Sequence, residues 1–380
     1  MARERQRGRF ADAARRARDG DNRSLQPHRP IIAFRVRALT FQGEGDVKVI
    51  DVPKPSIRSS GDALLKVTLG AVCGSDLHIL HGHTPMNPGA VLGHEFVGVV
   101  EDVGSEVKRF KPGDHVVSSF FTSCGHCALC RKGWFNQCVD KGTFGHGEYF
   151  GGLGGGQAEY VVVPNADHTM ETIPPGMTDE QAIFVGDILA TGFFGAERAE
   201  IRPGDMVAVV GAGPVGLMAT MCAQLFGPSR TFVIDMVDSR LEVAQELGGI
   251  PINTKEVHPV EAIEKATDGV GADSSIECVG LLPAVDTAIH CVRGGGTVSM
   301  VGVPSAVLGD FPYMRMWLKS LTFRAGWCNV QKYMRPLLDL IAAGRLQPEK
   351  IISHRMKLDQ AEEAYRMFDA RQATKIVLTP

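Results

Sequence analysis

One stretch restricts the fold of this chain more than any other. Val207-Ala208-Val209-Val210 runs into Gly211-Ala212-Gly213-Pro214-Val215-Gly216 and then into an apolar segment reaching Phe226. The apolar tetrapeptide reads as a buried strand, and glycines at G-x-G-x-x-G spacing turn such a strand into a helix. Gly211 permits the tight turn, Gly213 lets a pyrophosphate approach the backbone, and Gly216 lets the helix pack closely on the strand. The helix N-terminus, opened by Pro214, then offers amide donors and a positive dipole end to the phosphates. The uncharged run Met206–Gly227 is long enough for a membrane span, but its glycines and proline make it strand, turn and helix instead. Asp235 ends the next strand-like run, 19 residues after Gly216. A carboxylate there accepts hydrogen bonds from both ribose hydroxyls and repels a 2′-phosphate, so the expected dinucleotide is NAD rather than NADP. The plainer role for Asp235 is capping the helix that follows.

The texture of the rest supports a mixed α/β chain. From about 36 to 118, short apolar runs such as Ala63–Val67, Phe96–Val100 and His115–Ser118 are separated by turn residues, which predicts a β-rich unit. Gln157 to Pro164 reads as a returning strand and Asp179 to Glu200 as one helix. Strand and helix then alternate through Thr297–Val301, which implies a doubly wound parallel sheet. The chain closes with helices Val330–Ala343 and Gln360–Asp369 and a strand Lys375–Leu378. The expected division is a catalytic β-rich domain over 36–186, a dinucleotide-binding domain over 187–324, and a return to the first domain over 325–380.

Residues 1–35 hold ten Arg and four acids, whereas the whole chain has net charge −3. This segment is expected to be a disordered extension, with the natural start near Val36 as an alternative. It has no apolar run for a secretory signal, and its acids argue against a transit peptide. The net charge offers no general attraction to nucleic acid or membrane.

Nine cysteines are present, and four of them form Cys124-x2-Cys127-x2-Cys130-x7-Cys138. Four thiolates so close can enclose one tetrahedral zinc with no open position, which is a structural site. An iron–sulfur run closes with x3 and a proline, unlike this one. The clustering and odd total fit a reducing compartment, the cytoplasm, better than a disulfide framework. His126, inside the loop, is expected to face solvent.

A reactive zinc needs three protein ligands and one exchangeable position. Cys73 opens Cys73-Gly74-Ser75-Asp76-Leu77-His78, and Gly93-His94-Glu95 follows. Taken singly, Cys73 and His94 read as well as core residues. In this order with the four-cysteine loop, Asp187–Gly192 and the glycine turn, they resemble the zinc-containing medium-chain alcohol dehydrogenases, from about Val36 to Pro380. The resemblance implies a GroES-like catalytic domain, a Rossmann domain and an active site between them. It makes Cys73 and His94 ligands of a catalytic zinc. Many members carry Cys where this chain has Asp187, and Asp there looks like the bacterial secondary-alcohol and formaldehyde dehydrogenase branches. Asp187 is therefore the expected third ligand, with Glu95 behind the metal or as an alternate ligand.

The same resemblance implies two zinc ions per subunit and reversible hydride transfer between a primary or secondary alcohol and NAD. It gives Ser75 and His78 a proton relay, with His81 and His83 as substitutes, and Asp76 the orientation of a ligand histidine. Thr191 and Val215 are expected against the nicotinamide, Gly302 and Val303 beside its carboxamide, and Phe120 in the substrate pocket. Arg240 joins Asp235 among the cofactor residues. The implied assembly is a homotetramer or homodimer. The alternative readings are a formaldehyde dehydrogenase or dismutase, or a polyol- or threonine-type dehydrogenase. A non-enzymatic zinc and nucleotide-binding protein is a more distant alternative.

Overall fold

The computed structural model describes residues 34–304 and 311–380. Most of the Arg-rich 1–35 stretch thus lies outside the described residues. Two large sheets and a two-stranded ribbon organise the rest. Strands β1 (Arg35–Gly43) and β2 (Asp46–Pro53) form an antiparallel ribbon. β3 (Ala63–Val72), β4 (Glu95–Val103), β5 (His115–Ser118) and β7 (Met170–Thr172) pair antiparallel in that order, and β6 (Tyr160–Val163) adds to β3. β6 is shorter than the expected strand from Gln157. Gln157 instead turns inward, with its side chain bonded to Ala71 and Asp76.

The second sheet is built from β8 (Met206–Val210), β9 (Arg230–Asp235), β10 (Ile250–Asn253), β11 (Ala272–Glu277), β12 (Val292–Met300) and β13 (Thr322–Ala325). All its pairs are parallel and its order is β10-β9-β8-β11-β12-β13. That is the Rossmann order, in which the crevice for a dinucleotide opens beside the first strand. The chain then returns: β14 (His354–Lys357) pairs β15 (Ile376–Thr379), which joins β3.

Helix Pro214–Ala223 is buried from Gly216 to its end. A helix enclosed on all sides needs apolar residues all round, which explains the long uncharged run. Its neighbour Ile188–Arg198 crosses it closely at Gly192, where an added Cβ would stand 2.6 Å from the Ala219 amide. Apolar side chains on both these helices belong to the same buried core as Phe121, Phe184 and Leu337.

The expected helix from Asp179 to Glu200 is broken. Helix Asp179–Ala182 passes into a 3-10 turn at Ile183–Gly186, and a new helix starts at Ile188. Gly186 presses on the end of β5, where a Cβ would meet the Ser118 carbonyl at 2.0 Å. The break leaves Asp187 as the residue before a helix, with its carboxylate turned off the helical path. Periodicity could not show this, because the apolar spacing carries on through the break. No helix among the described residues is long and apolar enough to cross a membrane.

Candidate active site and metal centres

Three segments far apart in sequence bring their donors together. Cys73 precedes helix Gly74–Leu80, His94 precedes β4, and Asp187 precedes helix Ile188–Arg198. One donor atom from each lies within 4.8 Å of the others, and all three residues are buried. Cys73 Sγ is 3.7 Å from Asp187 Oδ2, and His94 Nε2 is 3.2 Å from the same oxygen. Thr191, one turn on, reaches Asp187 Oδ1 at 3.5 Å and so leaves Oδ2 for the cluster. One thiol, one imidazole and one carboxylate form a donor set suited to zinc with room for an exchangeable ligand.

The electrostatics fit a bound cation. Burial opposes charge on His94, but Asp76 and Cys73, with the hydrogen bond to Asp187, outweigh it and hold its pKa well above the ordinary range. The field that retains a proton there is the field a divalent metal would feel. Burial raises the Cys73 thiol, and nearby Glu95 raises it further. Deprotonating that thiol therefore calls for a cation beside it.

A buried polar chain stands behind the donors. Asp76 Oδ1 is 3.2 Å from His94 Nδ1, and Asp76 Oδ2 accepts from the Cys73 amide at 2.9 Å and from Gln157 at 3.1 Å. Burial pushes the Asp76 carboxyl up, but His94 and the Cys73 amide bring it below the usual carboxylate range. Tyr365 donates to Gln157 Oε1 at 2.8 Å. Gly93, with φ +96°, makes room for Gln157, whose Cγ would be 2.4 Å from a Cβ there. Glu95 stands outside the three-donor group and is ion-paired with Lys375, and both are fully buried. Burial raises the Glu95 carboxyl, against the pull of the Lys375 ammonium. Lys375 also donates to the Val72 carbonyl at 2.8 Å. Gln157, Tyr365 and Lys375 carry no local motif, and sequence reading missed all three.

The donors sit in a cleft of about 270 Å³ shared by the two sheets' elements. One side holds Ser75, His78 and Phe120, and the other Gly213, Pro214, Val215, Thr191, Gly302 and Val303. Ser75 Oγ is 3.1 Å from His94 Nε2. His78 is half-buried, and its ring lies 5.9 Å from that of His83. Burial first, then His83 and His81, lower its pKa. The cleft also contains His146, Trp327 and Cys328, which the sequence reading did not single out. Burial lowers the His146 pKa to about 4, and His94 adds to the effect.

The glycine turn has the features a pyrophosphate requires. Gly211 has φ +96°, and a Cβ on Gly216 would lie 1.7 Å from the Gly211 carbonyl, yet nothing lies within 4 Å of one on Gly213. Open space at the middle glycine is where phosphate oxygens could approach. Asp235 Oδ2 accepts from the Ala212 amide at 2.6 Å, and Oδ1 from Met236 and Val237. Arg240 feels the charge of Asp235, and its Nε is buried with no hydrogen-bond partner among the described residues. Asp235 and Arg240 are outside the cleft lining.

The four thiols of Cys124, Cys127, Cys130 and Cys138 also lie within 4.8 Å of one another. Backbone amides of Cys124 and Asp140 point at Cys138 Sγ, at 3.3 and 3.4 Å. The Cys130 amide pulls the Cys127 thiol down to about 6, while burial pushes Cys130 up to about 12. His126 is exposed, with Nδ1 donating to the Cys124 carbonyl at 2.7 Å. The lobe is fastened to the cleft: Asn329 Oδ1 accepts from the Phe135 and Asn136 amides, and Asn136 donates to the Trp327 carbonyl.

Two family models match, an alcohol dehydrogenase GroES-like domain over residues 59–175 and a zinc-binding dehydrogenase over 214–343. Zinc-type alcohol dehydrogenase B of Aspergillus flavus is 37% identical, with 90% of this chain and 81% of that protein covered. Among solved structures, alcohol dehydrogenase TADH from Thermus sp. ATN1 is 45% identical, with a TM-score of 0.87 over 90% of this chain and 99% of that one. A putative zinc-binding dehydrogenase from Sinorhizobium meliloti 1021, described as bound to NADP, is 29% identical with a TM-score of 0.81, covering 91% of this chain and all of that one. The fold, the donor sets and these likenesses together place the chain in the zinc-dependent medium-chain alcohol dehydrogenase family, as an oxidoreductase acting on alcohols.

Proposed function

We propose that this enzyme interconverts a primary or secondary alcohol and its aldehyde or ketone with NAD, using one catalytic and one structural zinc per subunit. The observation that carries the reading is the placement of Cys73, His94 and Asp187 in the same cleft as Gly213–Val215 and Gly302–Val303. Cys73, His94 and Asp187 would hold the catalytic ion, and the four thiols of 124–138 the structural one. When bound, zinc supplies a Lewis acid that favours alkoxide over alcohol, and the nicotinamide supplies the hydride acceptor.

The chain's own residues do the rest. Asp76 holds the His94 ring so that Nε2 faces the other donors. Ser75 Oγ, beside that nitrogen, takes the hydroxyl proton. His78, half-buried with exposed His81 and His83 beyond it, releases the proton toward solvent. Phe120, Trp327 and Val303 keep the reacting carbon in apolar surroundings.

Asp235 supports NAD, since a carboxylate at the end of β9 repels a 2′-phosphate. A homodimer or homotetramer is supported by exposed Tyr313, Met314, Trp317 and Leu318, close in sequence to the edge strand β13. Nine unpaired cysteines support a reducing compartment, the cytoplasm. The test is zinc content together with NADH formation across an alcohol panel, with both dinucleotides and a Cys73→Ala control. Zinc-loaded protein that oxidises no alcohol with either dinucleotide refutes the reading. Cys73→Ala activity equal to wild type refutes the catalytic ligand set.

A further inference from the structure

His146 is positioned with unusual care for a residue that the reaction does not need. It lies between Gly145 and Gly147, whose φ values are +62° and +73°. Side chains rarely adopt that backbone. At Gly145 a Cβ would also stand 2.6 Å from the Gly93 amide, next to the donor His94. Phe144, fully buried edge-on to Phe96 at 5.1 Å, anchors the turn from the other side. The two left-handed glycines and this anchor turn the His146 ring into the cleft, where it meets His94 edge-on at 4.9 Å.

The tautomer follows from the partner. His146 Nδ1 is 2.8 Å from the Phe144 carbonyl oxygen. A carbonyl only accepts, so Nδ1 carries the hydrogen, and Nε2 of the neutral ring is a lone-pair acceptor. No hydrogen bond to Nε2 is made among the described residues. Most of the other polar groups in the cleft have work already: Cys73, His94 and Asp187 form the donor set, Ser75 touches it, Thr191 holds Asp187, and His78 stands beside His83. Aromatic rings make up much of the remaining wall near His94, with Phe120 at 6.2 Å and Trp327 packed on Phe120 at 5.6 Å.

We propose that His146 is a specificity-determining residue, which selects substrates carrying a second hydroxyl close to the one oxidised. Its Nε2 accepts the hydrogen bond of that second hydroxyl. The edge contact between the two imidazoles, 4.9 Å between centroids, sets His146 beside the donor set, so the second hydroxyl it meets lies near the first. The preferred substrates are therefore short diols, or the matching hydroxy-carbonyl compounds in reverse. An oxygen lacking a hydrogen cannot satisfy this acceptor. The proposal rests on the alcohol-oxidising reading of the same cleft.

Three probes separate the two. Propane-1,2-diol, propan-2-ol and 1-methoxypropan-2-ol share a secondary alcohol, but only the diol adds a hydrogen-bond donor. With zinc-loaded full-length protein and NAD, kcat/KM for the diol should exceed that for the methoxy compound by roughly tenfold, the scale of one net hydrogen bond. In His146→Phe that ratio should fall toward one. In His146→Gln, whose Oε1 can stand in for Nε2, part of the preference should survive. The Gln variant also carries the test if the Phe variant does not fold. A wild-type ratio near one, or the same ratio in wild type and variants, overturns the proposal while turnover of propan-2-ol leaves the alcohol reading intact. No turnover of any probe by wild type overturns both.

Discussion

Asp76 Oδ1 stands 3.2 Å from His94 Nδ1, and this relationship decides which imidazole nitrogen turns toward Cys73 and Asp187. With Nδ1 turned to Asp76, only Nε2 is free to face Cys73 and Asp187. Partners behind ligand histidines commonly tune metal affinity by about 10–100-fold. Asp76→Asn should therefore weaken retention of the catalytic zinc on that scale. Chelator competition followed by metal analysis measures it. Equal affinity in variant and wild type would separate Asp76 from the metal site.

The four-thiol lobe should behave as a folding element. Structural zinc contributes its binding energy to folding. Cys130→Ser is expected to lose one equivalent of zinc per chain and to lower Tm by several degrees. Because Asn136 and Asn329 tie the lobe to the Trp327 segment, the variant should also alter KM for bulky alcohols. Full zinc content and an unchanged melting curve would mean that these thiols hold no ion.

Asp235 offers a direct measure of cofactor choice. Removing a charged acceptor typically costs about 1.5–3 kcal/mol. Asp235→Ser should raise KM for NAD by roughly ten- to a hundredfold and lower KM for NADP. The carboxylate also accepts three backbone amides, so a melting curve must accompany the kinetics. If KM for NAD stays constant in a folded variant, Asp235 serves only the turn.

The acid limb of the pH profile tests the relay. Burial, then the charges of His83 and His81, lower the His78 pKa. A positive neighbour disfavours a second positive charge, so His83→Gln should raise the His78 pKa toward its ordinary value. The proton-accepting neutral form then persists over a narrower range, and the acid limb of kcat should move to higher pH. His78→Gln itself should depress activity near neutrality, with partial recovery at high pH. A constant ratio to wild type at every pH in both variants would count against His78.

Gly93 is expected to tolerate no side chain. Its φ of +96° is unfavourable for any other residue, and a Cβ would stand 2.7 Å from the Gln157 amide. Backbone strain of this kind costs about 1–3 kcal/mol. Gly93→Ala should lower Tm and also weaken zinc retention, since the adjoining His94 must shift. Normal stability with normal zinc content would contradict this packing.

Much of this protein is local and was therefore legible from residue order. The Gly211–Gly216 turn, the thiol spacing of 124–138 and the alternation of strand and helix after Met206 depend on neighbours a few residues apart. Such signals survive in one dimension because chain geometry converts short spacing directly into shape. Cys73, His94 and Asp187 were legible as candidates only when their order was matched to a family, since each alone reads as core.

Tertiary structure decided the rest. It broke the helix expected from Asp179, because the Gly186 turn presses on β5 and leaves Asp187 beside Cys73, 114 positions away. It paired Glu95 with Lys375 across 280 positions and Tyr365 with Gln157 across 208. It also brought His146, set between Gly145 and Gly147, against His94. These partners meet only when β15 joins β3 and the cleft closes around the donors. A buried polar contact has no periodicity of its own; its cost is offset only by a partner, and that partner is found in space rather than in sequence.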